Sequence, residues 1–218
     1  MDNQYMDGFY KFSLMFVRLA YLNILWLFFI LLGLGILGLF PSTVAMFTVT
    51  RQWVKGNRDI PVFQTFWLTY KKEFMKSNLL GISYGFIGLI LYVDILYFSS
   101  PSSAVMLVLY YFFWVVTFIY LLLGVFLFPV YVHYQTKWWN YFKSTILLMF
   151  MNPLVVVAFI LIIASSVIIL RALPGLIPVF AGSVTAYALM MISYKAFNRV
   201  EAFTKVRNDE DKKDTLTV

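Results

Sequence analysis

Five stretches of this chain are too long and too apolar to settle anywhere but across a membrane: Leu19 to Leu39, Leu79 to Phe98, Ala104 to Phe128, Ile146 to Leu170 and Leu176 to Tyr194. A bilayer core takes about 20 apolar residues in one helical crossing. None of the runs alternates as a transmembrane barrel strand does, and lipid offers an open strand no partner for its backbone, so each is read as a helix. Little of the 218 residues remains for a folded extramembrane domain, and with 62% hydrophobic and 12% charged residues the composition agrees; a soluble domain has roughly half and a quarter. The expected fold class is all-α: a polytopic protein with five transmembrane helices and amphipathic interfacial cytoplasmic segments. One helical domain covers 1–200, a charged cytoplasmic tail covers 201–218, and the cell membrane is its expected location.

Turn-forming residues punctuate the runs at Phe40-Pro41-Ser42, Ser99 to Ser103, Phe128-Pro129 and Arg171 to Gly175. Pro153 and Pro178 fall near helix starts, where a missing N–H costs little. Orientation is read from Lys and Arg, which stay cytoplasmic beside a span. Fourteen fall after the first run, after the third and in the tail, against three (Lys11, Arg18, Arg171) in the alternate segments. The reading is N-terminus outside and C-terminus inside, with Lys11 and Arg18 dissenting. The first run is too long for a signal-peptide core. Residues 5–18 read instead as an amphipathic lead-in at the interface.

The longest connection, Pro41 to Asn78, ends in an amphipathic helix. Phe63, Phe66, Tyr70 and Phe74 are spaced to share one face, and Trp67, Lys71 and Lys72 lie beside them. Tyr131, Tyr134, Trp138 and Phe142 repeat that spacing, with Trp139 adjacent. Interfacial anchoring is the plainer reading; the sharper one makes Phe63, Phe66, Trp67, Tyr70, Lys71, Lys72, Phe74, Trp138 and Trp139 a cytoplasmic docking surface. Phe74 to Leu80 can be laid over Tyr141 to Leu147 as aromatic-x-Lys-Ser-x-aliphatic-Leu, so the second and third spans and the fourth and fifth are read as parallel copies or as two similar interfacial entries.

Signals of chemistry are sparse. With no cysteine, thiolate metal sites, disulfides and cysteine nucleophiles are excluded, and a single histidine argues against a histidine-built metal centre or triad. Gly33 to Gly38 spells GxGxxG inside a span, where glycines serve close helix approach or bending and not a dinucleotide. Asp94 is the one acidic residue inside a predicted span. Placed near the outer end of its helix, it is expected to pair with Arg18 or Arg171, or else to serve a proton or solute path or simply to be solvated at the interface. His133 reads as an interface residue among tyrosines. No hydrolase or metalloprotease motif is present, so no catalytic, cofactor-binding or metal residue is expected. The net charge of +7 goes with anionic lipid beside the spans and not with nucleic acid.

Asn23-Ile24-Leu25-Trp26, Pro41-Ser42-Thr43-Val44-Ala45-Met46-Phe47, Arg51-Gln52-Trp53-Val54-Lys55-Gly56, Phe63 to Trp67 and Tyr70 to Phe74 together resemble the YesL/YteU family of bacterial integral membrane proteins. The resemblance supplies no catalytic or binding residue. It implies a setting in Gram-positive bacteria, beside genes for carbohydrate ABC transporters and plant-polysaccharide use. The expected function is therefore an accessory or regulatory partner of a system that takes up plant-polysaccharide-derived oligosaccharides, contacting ABC-transporter membrane subunits or a membrane sensor. The alternative is a small transporter or channel acting as a homo-oligomer.

Overall fold

The computed structural model describes the backbone of residues 2–134 and 138–216 and the side chains of residues 10, 13–134 and 139–200. Within them the chain is a succession of helices: α1 (Asp2–Leu32), α2 (Ile36–Val54), α3 (Val62–Phe98), α4 (Ala104–His133), α5 (Trp138–Met151), α6 (Pro153–Ala172) and α7 (Ile177–Leu216), with a 3-10 turn at Pro174–Leu176. Five segments are long and apolar enough to cross a membrane: Ser13–Leu32, Val62–Phe98, Ala104–His133, Pro153–Ala172 and Pro174–Val200. They coincide in number and place with the five runs read from the sequence, so the chain is a multi-pass, all-helical membrane protein. Pro153 opens α6 and Pro178 is the second residue of α7. Ser103 caps α4, its Oγ accepting from the Met106 N–H at 3.3 Å. The lead-in at 5–18 is continuous with α1.

Three predicted boundaries move. The fourth run, read as one span from Ile146 to Leu170, breaks at Asn152, so its span opens at Pro153. Pro129 lies inside α4, which continues to His133. The first run breaks at Gly33-Leu34-Gly35 and not at Phe40-Pro41, because Leu34 and Gly35 take positive φ angles of 59° and 78°. Only glycine enters that region without a Cβ penalty, so Gly35 makes the reversal feasible. The chain then folds back as α2, with Pro41 inside it. At the crossing Gly33 meets Gly38, and a Cβ on either would overlap backbone of the other leg. The Trp26 Nε1–H donates to Thr43 Oγ1 at 3.1 Å further down, and the Arg18 guanidinium meets Asp59 at 3.0 Å just beyond the far end of α2. The segment expected to lie beyond the first span therefore returns to the end at which that span begins.

α2 is the hub of the bundle. Its residues from Pro41 to Met46 are all buried, including Ser42 and Thr43. Around it Leu22 and Phe29 of α1, Phe66 of α3, Phe126 and Val130 of α4 and Met190 of α7 form the core. At the end of α4 the Tyr131 hydroxyl donates to Glu73 on the first half of α3 at 2.7 Å, and Phe197 of α7 packs on His133 with ring centroids 4.3 Å apart. The ends of α4 and of the apolar part of α7 thus gather near the Asp59 end of α3.

The second half of the α3–α4 hairpin stands apart from this core. From residue 82 to residue 121, Leu91 is the single buried position. The two helices hold each other through a reciprocal clasp. The Tyr84 hydroxyl donates to the Tyr120 carbonyl at 2.9 Å, the Tyr120 hydroxyl donates to the Tyr84 carbonyl at 2.7 Å, and the rings stack 4.2 Å apart. Gly88 and Gly124 make room for these hydroxyls, since a Cβ on either would strike one of them. The hairpin of α6 and α7 is joined by the Thr185 hydroxyl donating to Ser166 at 3.1 Å. If the two hairpins are copies they have diverged, because α3 is continuous where its counterpart breaks at Asn152, between α5 and α6.

Candidate functional site

The polar residues of the family-like motif in α1 face inward. Asn23 is fully buried and saturates its carboxamide on α7. Its Nδ2 donates to the carbonyls of Ile177 (3.4 Å) and Pro178 (2.8 Å), and its Oδ1 accepts from the N–H groups of Gly182 (2.9 Å) and Ser183 (3.0 Å). Both sides of the amide are used because the Ile177 and Pro178 carbonyls and the Gly182 and Ser183 N–H groups lie one helical turn apart on α7, within reach of a single carboxamide.

Packing takes part of the expected docking surface into the core. Phe66 and Tyr70 are buried, 0% and 4% exposed, against the Phe29 ring of α1. The Tyr70 hydroxyl also donates to the Phe29 carbonyl at 3.3 Å. Phe74 is half-buried and packs edge-on against Tyr70. Trp67 is half-buried too, with the Lys71 ammonium over its ring at 4.6 Å. The aromatic face thus anchors the segment to its own protein, because α1 offers it an apolar helix. Phe63, Lys71, Lys72 and Trp139 remain exposed; the side chain of Trp138 lies outside the described residues.

The expected intramembrane ion pair does not form. Arg18 is taken by Asp59, three residues before α3 begins. Asp94 lies four residues before α3 ends, about 50 Å away along the helix at 1.5 Å per residue. Arg171 is exposed at the end of α6, and among the described residues the Arg18–Asp59 pair alone comes within 4 Å. Asp94 is half-exposed on the projecting arm.

Two cavities flank α2. One, of about 460 Å³, is apolar and lies between α2, α4, α6 and α7, with Phe47, Val125, Ile163 and Ala186 among its walls. The other, of about 780 Å³, lies between α2, the first half of α3, the end of α4 and α5, and its lining mixes polar with apolar side chains. Arg51 and Gln52 face it from α2, Lys72, Glu73 and Lys76 from α3, and Tyr141 from α5. Three cations and one carboxylate give it an excess of positive charge. Sequence reading missed this site because its members are scattered from 51 to 141; the one local signal was the pair Lys72 and Lys76, a turn apart. Among the described residues no three His, Cys, Asp or Glu side chains gather as a metal centre would need.

The match to known proteins follows the same ground. Residues 19–95 match the family model "Protein of unknown function, DUF624". The Bacillus subtilis protein YteU is 37% identical over 85% of this chain and 83% of its own. The chain belongs to the DUF624 family. YesV of the same organism is 35% identical over 85% of this chain and 89% of its own, and YesL 33% over 89% and 92%. All three carry the description "uncharacterized protein". No solved structure matches the chain. The DUF624 segment spans the α1–α2 hairpin and nearly all of α3, so it contains Asn23, Trp26, Thr43, Phe66 and Tyr70, which lock the bundle, together with the α2 and α3 walls of the basic cavity.

Proposed function

We propose that this DUF624 protein is a non-catalytic accessory subunit of the cell membrane that docks on another membrane protein through its α3–α4 arm, in the service of carbohydrate uptake as the family resemblance implies. The observation that carries the reading is the arm itself, with two long helices and a single buried residue between 82 and 121. Its outer faces present Tyr92, Tyr97, Tyr111, Phe112 and Trp114, all more than a third exposed. Helices in lipid associate by close packing and a few polar contacts. A carboxyl group at Asp94 calls for a polar partner or a watery interface. The orientation that goes with this reading places both termini and the Asp59 loop in the cytoplasm. Every Lys and Arg except Arg171 then lies on one side, sixteen of the seventeen, and the dissent of Lys11 and Arg18 disappears.

The test is a photo-crosslinking amino acid placed at Tyr92 or Phe112 on the arm, and at Phe63 as a comparison, followed by recovery of the tagged protein in mild detergent and mass spectrometry. Crosslinks from the arm to the membrane subunits of an ABC transporter or to a membrane sensor, weakened by Asp94→Asn, are the expected result. Recovery of the protein alone, with the arm crosslinked to copies of itself, would overturn it in favour of a homo-oligomeric transporter or channel.

A further inference from the structure

Two lysines of the basic cavity beside α2, Lys72 and Lys76, have no part in the bundle or the docking arm as described above. Lys72 and Lys76 stand one turn apart on α3, and neither forms an ion pair among the described residues. Arg51, half-buried on α2, faces them across the cavity. The Gln52 Oε1 accepts from Asn57 Nδ2 at 3.2 Å, which leaves its amide N–H groups to donate. The carboxylate, Glu73, accepts from the Tyr131 hydroxyl at 2.7 Å and has acceptor capacity to spare. Ammonium and guanidinium groups converging on one volume suit a phosphate; a carboxylate among them suits a ligand that also brings hydroxyl donors.

We propose that this cavity binds the phosphate ester of a polyol: the phosphate lies between Arg51, Lys72 and Lys76, and a neighbouring hydroxyl donates to Glu73. That chemistry has two sources, a soluble polyol phosphate and the headgroup of an anionic glycerophospholipid. The surroundings favour the lipid. Leu79, 56% exposed, lines the cavity and begins the stretch of α3 that continues through exposed Ile82 and Phe86, a track for acyl chains. Basic recesses between helices at the cytoplasmic interface are a known way to hold anionic headgroups.

The experiment uses the full chain in phosphatidylcholine nanodiscs, titrated with phosphatidylglycerol and, separately, with glycerol 3-phosphate, binding being read by native mass spectrometry. The test variant is Lys72→Gln with Lys76→Gln. The control, Lys55→Gln with Lys143→Gln, removes the same charge from exposed positions off the cavity wall. Both lysines of the test pair are exposed, so the fold is retained, and an unchanged elution volume verifies it. At about fivefold per basic residue at an anionic surface, the test pair weakens phosphatidylglycerol binding roughly 25-fold, and the control changes it by less than about threefold. Competition by millimolar glycerol 3-phosphate assigns the site to the soluble ligand, and absence of competition assigns it to the lipid. Equal losses in the two variants, or no preference of the natural protein for either probe over phosphatidylcholine, would overturn the proposal. This outcome is independent of whether the arm finds a partner.

Discussion

Replacing Asn23 tests whether a single carboxamide holds α1 against α7. Four hydrogen bonds end on it, at 2.8 to 3.4 Å, and the side chain is wholly buried. Polar interactions between membrane helices average about 0.6 kcal/mol each, so the four together are worth roughly 2.4 kcal/mol. At about 2–4 °C per kcal/mol for a chain of this size, Asn23→Ala lowers the midpoint of heat-induced aggregation in mild detergent by roughly 5–10 °C. Two companion variants separate polarity from packing. Asn23→Leu fills the space and removes only the hydrogen bonds, and it loses nearly as much. Asn23→Asp sets an acceptor where Nδ2 donates to Ile177 and Pro178, and it is the worst of the three. The readout is fluorescence-detected size exclusion of a tagged protein heated before chromatography. If Asn23→Leu were as stable as the natural protein, the insertion into α7 would be incidental and the reasoning refuted.

The remaining predictions use the same readout except where stated. Gly88→Ala and Gly124→Ala each push a methyl into the Tyr84–Tyr120 clasp and destabilise by about 1–3 kcal/mol, as overpacking does; wild-type stability in both would mean the clasp is dispensable. Asp59→Asn, at a residue whose side chain is 95% exposed, changes stability by under about 1 kcal/mol even though it removes the charge that pairs with Arg18, and a larger loss would mark that pair as structural. Because the chain has no cysteine, Ser13→Cys, Lys55→Cys and Ser102→Cys can be labelled one at a time with a membrane-impermeant maleimide. Only the third should react from outside intact cells, and labelling of the first from outside with the second protected would restore opposite sides for the start of α1 and the α2–α3 loop.

The spans were legible because hydropathy alone fixes them: a run such as Ile146 to Leu170 has no alternative in water, although the break at Asn152 within it was not foreseen. α2 was not, for the opposite reason. Ser42, Thr43, Thr48, Thr50, Arg51 and Gln52 read as the start of a cytoplasmic connection, yet the hydroxyls of Thr43, Thr48 and Thr50 donate to backbone carbonyls of their own helix. The segment is buried by protein instead of lipid, and a hydropathy window cannot tell that from exposure to water. Register on α3 was legible, since the spacing of Phe63, Phe66, Tyr70 and Phe74 does gather rings on one face. What covers that face was not, because the partner is Phe29, on a helix whose own sequence reads as a plain span. Asp94 was found but mispaired: depth in a membrane was inferred from a topology one leg short, and Arg18 was thereby assigned to the wrong end of α3.

The division of labour along α3 connects these observations. Its first half carries Phe66 and Tyr70 into the core and Lys72 and Lys76 to the cavity, so a ligand held there touches the same turns that tie α3 to α1 and α2. Its second half is held chiefly by α4, and α4 is tied back to the first half through Tyr131 and Glu73. A phosphate ester that donated a hydroxyl to Glu73 would share that carboxylate with Tyr131 and so bear on the hydrogen bond that steadies the root of the arm. Site and arm are separate in what they bind, but the Glu73–Tyr131 bond is common to both, which makes Tyr131→Phe the variant in which any communication between them should be sought.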